Sequence, residues 1–316
     1  MKPRATLLFT GTWVVALAVA WVAACTKSES GLNADEGLSP KEIELRDEYL
    51  AEVEVGRDMA GRLLGFYGSV GDEALLGYLN QVGNYVASYS DFPDRRYMFA
   101  ILETESINAF ACPGGYILVT LGTMRNIETE AELAAVLGHE IAHVGKRHMF
   151  NTLKQMRKDE LDKNAEAGEK AMRDSMAIKM RRRPKQEKTG LGAKVAQYLS
   201  NTTGGLNVLT AAKAGMNLIM EKGIAPQLEF EADREGVKYA IRAGYDPRGM
   251  LAYLSRVKRS QKKKPRVSKT HPSFGDRISS VKVVLKKLKA NEIIGATGTK
   301  RLNKVRQDLP EKKEES

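Results

Sequence analysis

Two histidines and an acid near the middle of the chain have the types and the spacing that hold a catalytic metal. They form an HExxH motif at residues 139–143, with His139 and His143 four positions apart and Glu140 beside the first. On an α-helix such positions lie nearly above one another, so both imidazoles can reach one zinc ion at about 2.0–2.1 Å. Glu140 then faces an attacking water rather than the ion, which is an arrangement for metal-assisted hydrolysis. Two unrelated core histidines are the alternative, but the chain has only four histidines, and buried histidines without partners are costly.

Two histidines leave a tetrahedral site one protein ligand short if a water is to remain bound. His148, His271 and the many carboxylates could supply that ligand. Glu229 and Asp233 are four apart in a segment that begins at Pro226, so they share one face if the segment is helical. The later acid can accept the N–H of a ligating histidine and fix its tautomer. A solvated helix face has the same spacing, so these two acids alone are weak support.

The residues around the motif predict the helix that it needs. Thr129 and Glu132 form a capping box at its start. At about 100° per residue, the following positions give one apolar stripe and one face of small residues, and the histidines fall in the remaining sector. The stripe holds Leu133, Leu137, Ile141 and Val144, and the small face holds Ala134, Ala135, Gly138, Ala142 and Gly145. We therefore expect a helix that is buried nearly all round, with its histidine side facing a cleft.

Most of the other predicted elements are helices. Residues 39–42 supply an N-cap, a proline and a capping-box glutamate for a helix of about 25 residues. Further helices are predicted from Asp72, from Pro226 to near Gly244, and from Asp246.

Strand-like residues are confined to one part of the chain. Residues 97–102 are a short apolar run, residues 107–112 alternate, and residues 116–120 are rich in β-branched and aromatic side chains. The Pro-Gly-Gly turn at 113–115 between the last two runs predicts a hairpin. The predicted fold class is therefore mainly α with a small β-sheet (α+β).

Composition and the N-terminal residues bear on the class of partner. The 316 residues fit one large or two small domains, and 42% hydrophobic with 28% charged residues is ordinary for a folded protein. A net charge of +11 and a pI of 9.4 suggest nucleic acid. Residues 1–24 argue against it, because two basic residues followed by an apolar run predict a secretory signal peptide. We expect no nucleic-acid partner.

Cys25 follows the small residues that end this apolar run, as in the lipobox of bacterial lipoproteins. The alternatives are an ordinary signal peptide or an uncleaved membrane anchor, in neither of which a cysteine at the cut site has a role. A lipidated Cys25 would anchor the chain in a bacterial membrane, and Thr26 after it resembles the outer-membrane form, facing the periplasm. Cys112 is the only other cysteine, so no intramolecular disulfide is expected.

Three motifs in order carry a family resemblance. They are HExxH at 139–143, Glu-Phe-Glu-Ala-Asp at 229–233, and Thr-His-Pro at 270–272 followed by Arg277. Together they resemble the gluzincin metallopeptidases of the CAAX prenyl protease and HtpX type, and more narrowly their periplasmic lipoprotein branch, with LoiP and the protease portion of BepA. The resemblance spans roughly residues 39–288 and implies a zincin-like fold with an HExxH active-site helix.

The resemblance also implies roles for individual residues. His139, His143 and Glu229 would hold one Zn²⁺ per chain, with Glu140 as the general base and Asp233 behind a ligating histidine. His271 would either approach the metal as a fourth ligand or stabilise the transition state.

Residues outside the ligand set receive roles as well. Asn108, Ala109 and Phe110 resemble the family's strand beside the active site, where an extended substrate would bind. His148 matches no motif and lies off the ligand face, so it is interpreted as structural. Cys112, with no histidine paired to it, is interpreted as a packing residue.

The resulting domain prediction is a signal peptide at 1–24, a tether at 25–38, a zinc metallopeptidase domain at 39–290 and a basic flexible tail at 291–316. The charged and Gly-rich excursion at 151–225 is either a solvated helical hairpin or a lid over the zinc.

The predicted function is hydrolysis of peptide bonds in unfolded or misassembled cell-envelope proteins, with the outer-membrane assembly machinery as a possible partner. The alternative is a periplasmic chaperone or assembly factor with a latent or inactive zinc site.

Overall fold

The computed structural model describes residues 37–163, 208–261, 272–307 and 309–310. Its contacts divide the chain into two units, Met1–Arg46 and Asp47–Ser316. In the first unit, the predicted capping box is present, because the Ser39 N–H donates to Glu42 Oε2 at 2.8 Å. The site described below lies in the second unit.

Helices dominate the described residues, and a small sheet accompanies them, which confirms the predicted fold class. The helices are α1 (Pro40–Tyr67), α2 (Glu73–Ser88), α3 (Leu121–Asn126), α4 (Glu130–Gly145), α5 (His148–Lys163), α6 (Val208–Asn217), α7 (Pro226–Arg242), α8 (Gly249–Gln261), α9 (Phe274–Lys287) and α10 (Thr299–Arg306). A π-helical turn, Leu218–Lys222, follows α6. No helix of these ranges combines the length and the apolar character needed to cross a bilayer.

The sheet has three strands in the order β1-β3-β2: β1 (Met98–Leu102), β2 (Ala109–Cys112) and β3 (Tyr116–Thr120). β1 runs parallel to β3, with Phe99 opposite Ile117, while β2 runs antiparallel to it, with Phe110 opposite Leu118. The predicted hairpin is therefore confirmed, and β2 is an edge strand of this sheet. Its turn needs glycines, since Gly114 and Gly115 have φ of +74° and +108°.

Helix α4 lies in the middle of the larger core, and every residue from Glu130 to Gly145 is buried. Its start is as predicted, with the Thr129 side chain accepting a hydrogen bond from the Glu132 N–H at 3.2 Å. Helices α2, α7 and α8 and the sheet pack around it. The expectation of a helix buried on nearly all sides is confirmed.

Helices α4 and α7 touch backbone to backbone. A Cβ built on Gly138 would lie 2.7 Å from the Gly236 carbonyl oxygen, and one on Gly236 would lie 2.5 Å from the His139 nitrogen. Only glycine permits this approach, which brings the first turn of α7 over the histidine face of α4.

The structure differs from the prediction of a flexible tail over residues 291–316. In the described part, α10 forms and Leu302 is completely buried in the core. Arg301 reaches the buried Glu130 at the start of α4 and donates two hydrogen bonds to it. Local composition predicted a basic, solvated segment, but one apolar side chain and one long-range ion pair hold it against the core.

Some of the predicted organisation lies outside the described residues. This is so for Cys25 and the proposed signal peptide, and for the middle of the 151–225 excursion. The described ends of that excursion are α5, α6 and the π-helical turn.

Candidate metal centre and cleft

Three side chains from two helices converge on one point. His139 and His143 project from α4, and Glu229 projects from the first turn of α7, with one ligand atom of each lying within 4.8 Å of the others. The two histidine Nε2 atoms are 3.1 Å apart, and the Glu229 oxygens lie 3.4 Å from His143 Nε2 and 3.7 Å from His139 Nε2. Ligand atoms around a tetrahedral ion with bonds of about 2.0–2.1 Å should be about 3.3–3.4 Å apart. Two nitrogens and a carboxylate at these spacings fit a zinc ion.

The other ring nitrogen of His139 faces an ion pair. Its Nδ1 lies 2.9 Å from Asp233 Oδ1, and Arg277 binds both oxygens of the same carboxylate at 2.6 and 2.9 Å. Burial raises the pKa of Asp233, but the charge and hydrogen bonds of Arg277, together with His139, outweigh it and hold this pKa well below its usual range. Asp233 is thus ionised, and it accepts the Nδ1–H of a histidine whose Nε2 is left to bind metal.

The other ring nitrogen of His143 faces a third histidine. His143 Nδ1 lies 3.0 Å from His148 Nδ1, and His148 Nε2 lies 3.5 Å from Glu231 Oε2. Burial lowers the pKa of His148, only partly offset by Glu231, so the ring is neutral at pH 7. A neutral His148 can accept the Nδ1–H that His143 carries when its Nε2 binds metal.

Sequence reasoning missed this contact because it depends on a chain reversal. Helix α4 ends at Gly145, and Arg147 has φ of +58°, which turns the chain back so that His148 faces the ligand side. The Arg147 Nε lies 2.7 Å from the buried Glu52 Oε2, a residue of α1. The spacing within HExxH predicts neither the contact of His148 with His143 nor that of Arg147 with Glu52. Arg277 was noted only as part of the third motif, and its ion pair with Asp233 was not foreseen.

Glu140 borders the cleft from the middle. It lines both a cavity beside His143 and Glu229 and a cavity beside His139, and its side chain is buried. Asn108, just before β2, and Ala109, the first residue of β2, line both cavities as well. Phe110, a buried residue of β2, lines the first of them. The strand residues predicted from the resemblance therefore lie along the cleft.

Cys112 has no place in this cleft. It is completely buried at the end of β2, and burial, with a small contribution from the charge of Glu140, raises the pKa of its thiol far above the usual value. A neutral buried thiol is a packing residue rather than a nucleophile. His271 lies outside the described residues.

Comparison with known proteins agrees with this geometry. The family model described as "Peptidase family M48" matches residues 73–284, which include both helices of the candidate metal centre. The chain belongs to peptidase family M48. Membership of M48 places it among the metallopeptidases, and the peptidases of that family are zinc-dependent.

The chain is similar to several longer proteins of known name. It is 26% identical to the "Beta-barrel assembly-enhancing protease" of Escherichia coli (strain K12) over 234 residues, which are 73% of this chain and 43% of the relative. It is also 26% identical to the "Putative beta-barrel assembly-enhancing protease" of Vibrio cholerae over 66% of this chain and 39% of that one. A shorter match, 42% identical over 43 residues, joins 14% of the chain to 9% of the "Mitochondrial metalloendopeptidase OMA1" of Arabidopsis thaliana. The chain thus spans less than half the length of these relatives.

Proposed function

We propose that this protein is a zinc-dependent metalloendopeptidase that cleaves extended segments of other proteins. The observation that carries the proposal is the convergence of His139, His143 and Glu229 beside Glu140 in a cleft bordered by an edge strand. One zinc ion per chain would be held by the three converging side chains. When bound there, the ion would polarise the scissile carbonyl and lower the pKa of a water from about 15.7 towards about 7.

The residues of the chain supply the proton transfers and the orientation. Glu140 takes a proton from the attacking water and passes it to the leaving amine, a contribution of about 10²–10⁴-fold. Asp233 and His148 hold the two imidazoles by their Nδ1 atoms, which leaves both Nε2 atoms available to hold the ion when it is bound. His271 is proposed either as a further ligand or as a donor to the developing oxyanion.

An extended substrate would add to β2. Because the Thr120 N–H donates to the Asn108 carbonyl at 3.1 Å, and antiparallel pairs alternate, the backbone groups of Ala109 and Ala111 point away from β3. A peptide can hydrogen-bond to this edge through its own backbone, largely independently of its side chains. Such binding requires a substrate segment that is unfolded or flexible.

We propose a location and a substrate class from the sequence and the relatives. A signal peptide at 1–24, a lipidated Cys25 and a tether at 25–38 would place a peptidase domain at 39–290 on the outer membrane, as in the periplasmic lipoprotein branch of the family. Two relatives are named for enhancing β-barrel assembly. Misassembled envelope proteins are therefore the proposed substrates, and the outer-membrane assembly machinery is a proposed partner.

The 151–225 excursion contributes a wall of the cleft. Leu218, Ile219 and Ile224, at its carboxyl end, line the cavity beside Glu229. We propose that the excursion also limits access to the zinc site. Deletion of residues 165–205 should then raise the rate of peptide cleavage, and an unchanged rate would count against gating.

Replacement of the general base tests the proposed reaction. We expect Glu140→Gln to keep the fold and one bound zinc, measured by circular dichroism and metal analysis, and to lose cleavage of unfolded casein by at least about 10²-fold. Chelation of the wild-type protein should abolish the same cleavage, and added zinc should restore it. Retained cleavage by zinc-loaded Glu140→Gln would refute the assignment. An inactive wild type with tightly bound zinc would instead favour the chaperone or assembly-factor alternative.

A further inference from the structure

Two cavities at the site share Asn108, Ala109 and Glu140 in their walls. The first has a volume of about 50 Å³ and the second about 40 Å³, and both are open to solvent. The first cavity, beside His143 and Glu229, is walled by Met149, Leu218, Ile219 and Ile224. The second cavity, beside His139, is walled by Ile107, Val136, Met250, Tyr253, Val257 and Phe274.

Away from the candidate ligands and Glu140, most of the side chains that wall the two cavities are apolar. In the first cavity, the polar side chains are the shared Asn108 and Glu140 and the candidate ligands. In the second cavity they are these shared residues, His139, Tyr253 and Arg277, and the Arg277 charge is balanced by Asp233. An unpaired charged side chain in either space would lose its hydration without gaining a partner, whereas an apolar one would gain from burial.

The strand order gives a direction to the cleft. The second cavity touches Ile107 and Ala109, whereas the first extends past Ala109 to Ala111, so the two follow one another along β2. A peptide that adds antiparallel to β2, the more stable of the two pairings, has its amino-terminal half beside Ala111 and its carboxyl-terminal half beside Ile107. Its scissile bond then crosses Glu140 between the two cavities.

We propose that the two cavities are apolar specificity subsites. The first cavity receives the side chain on the amino side of the scissile bond, and the second receives the side chain on its carboxyl side. This assignment rests on the proposed function. It defines the substrate class as unfolded segments with apolar residues on both sides of the cleaved bond, a pattern that a folded protein keeps in its core.

Quenched fluorescent peptides test the assignment on the wild-type protein. One flexible host peptide would carry Leu-Leu, Ser-Leu, Leu-Ser or Ser-Ser at its centre, with cleavage positions read by mass spectrometry. We expect each single replacement by serine to lower kcat/KM by roughly 10- to 200-fold. Equal kcat/KM for all four peptides would overturn the subsites and leave the proposed function intact. Zinc-loaded protein that cleaves no peptide would overturn the proposed function, and the subsites with it.

A pair of matched variants tests which cavity serves which side. Ile224 in the first cavity and Phe274 in the second are both only partly buried, so a change there is compatible with folding. We expect Ile224→Asp to raise cleavage of a Lys-Leu peptide relative to Leu-Leu, and Phe274→Asp to do so for Leu-Lys, each by tenfold or more. The reverse assignment of the two effects would overturn the orientation. If either aspartate variant is unfolded by circular dichroism, Ile224→Ala and Phe274→Ala, with Trp-Leu and Leu-Trp peptides, make the same comparison by cavity size.

Discussion

At the scale of single residues, the two histidines of the candidate metal centre are supported in different ways. His139 faces the ionised Asp233, whose charge is balanced by the buried Arg277. His143 faces the neutral His148, whose other ring nitrogen faces the partly exposed Glu231. An anionic partner raises the basicity of a ligand more than a neutral one does. We therefore expect Asp233 to matter for both stability and metal binding, and His148 mainly for metal binding.

Replacing His148 should weaken zinc binding without changing the ligand set. We expect His148→Ala to lower zinc affinity by about 10- to 100-fold, because the His143 ring loses the partner that fixes its tautomer. His148→Asn should retain most of the affinity, since an amide oxygen can occupy the position of the ring Nδ1. Competition with a chromophoric chelator measures both. Equal affinities of the alanine variant and the wild type would contradict the proposed role.

Replacing Asp233 should lower both the free energy of unfolding and the affinity for zinc. In Asp233→Asn the fully buried carboxylate is removed and Arg277, 7% exposed, keeps its charge without a counterion. We expect a loss of about 3–5 kcal/mol in urea unfolding. The exposed ion pair of Asp91 with Arg242 provides the control, for which Asp91→Asn should change stability by about 0–1 kcal/mol. Similar losses in the two variants would show that the buried pair has no special role.

At the scale of elements, the candidate metal centre depends on how closely two helices approach. Helix α4 carries both histidines and α7 carries Glu229 and Asp233, so their separation sets the distance between the ligands. The contact of Gly138 with Gly236 sets that separation at the backbone. Helix periodicity predicted which side chains of each motif share a face. It could not predict that the two helices cross at Gly138 and Gly236, because a glycine within a helix gives no information about which residue packs against it.

A methyl group at the crossing should push the helices apart. We expect Gly236→Ala to destabilise the protein by about 1–3 kcal/mol through overpacking and to lower zinc affinity, because Glu229 moves away from the histidines. Gly77→Ala is the matched control, because Gly77 is exposed in α2 and nothing lies within 4 Å of a Cβ added there. This variant should be more stable than wild type by about 0.5–1 kcal/mol. Thermal unfolding with and without zinc measures both changes. Zinc-dependent stabilisation as large in Gly236→Ala as in wild type would contradict the argument.

At the scale of the whole molecule, Glu130 joins distant parts of the chain. Its buried carboxylate accepts hydrogen bonds from Tyr78 of α2 at 2.9 Å and from Tyr245 before α8 at 2.8 Å. Arg301 of α10 completes the cluster. Through this cluster, the first turn of α4 is connected to three other parts of the fold.

This cluster should make stability depend on pH in the acid range. Burial raises the pKa of Glu130, but the hydrogen bonds from Arg301, Tyr245 and Tyr78 outweigh it, so the folded-state pKa lies below the usual value. A depressed pKa contributes stability that is fully present above the unfolded value of about 4.3 and is lost as pH falls towards the folded value. We expect Glu130→Gln to lower stability at pH 7 by about 1–3 kcal/mol and to flatten the decline of Tm below pH 4.5. An unchanged acid dependence in the variant would contradict this assignment.

The parts of the fold that could be predicted are those set by neighbours in sequence. Thr129 and Asp72 cap the helices that they were expected to start, and HExxH with Glu229 and Asp233 comes together as its spacing on two helices allows. The parts that could not be predicted are set by distant partners. His148 contacts His143 only because the chain reverses its direction at Arg147. The segment at 299–306 packs against the core through the buried side chain of Leu302.

The position of Arg301 in the chain has a consequence for synthesis. It follows Glu130 by 171 positions, and Arg277 follows Asp233 by 44. A nascent chain leaving the ribosome exposes the HExxH segment while the residues that anchor and orient it are still untranslated. The contacts that anchor and orient this helix therefore form only after residue 301 has been added to the chain, well after the HExxH segment itself has been synthesised.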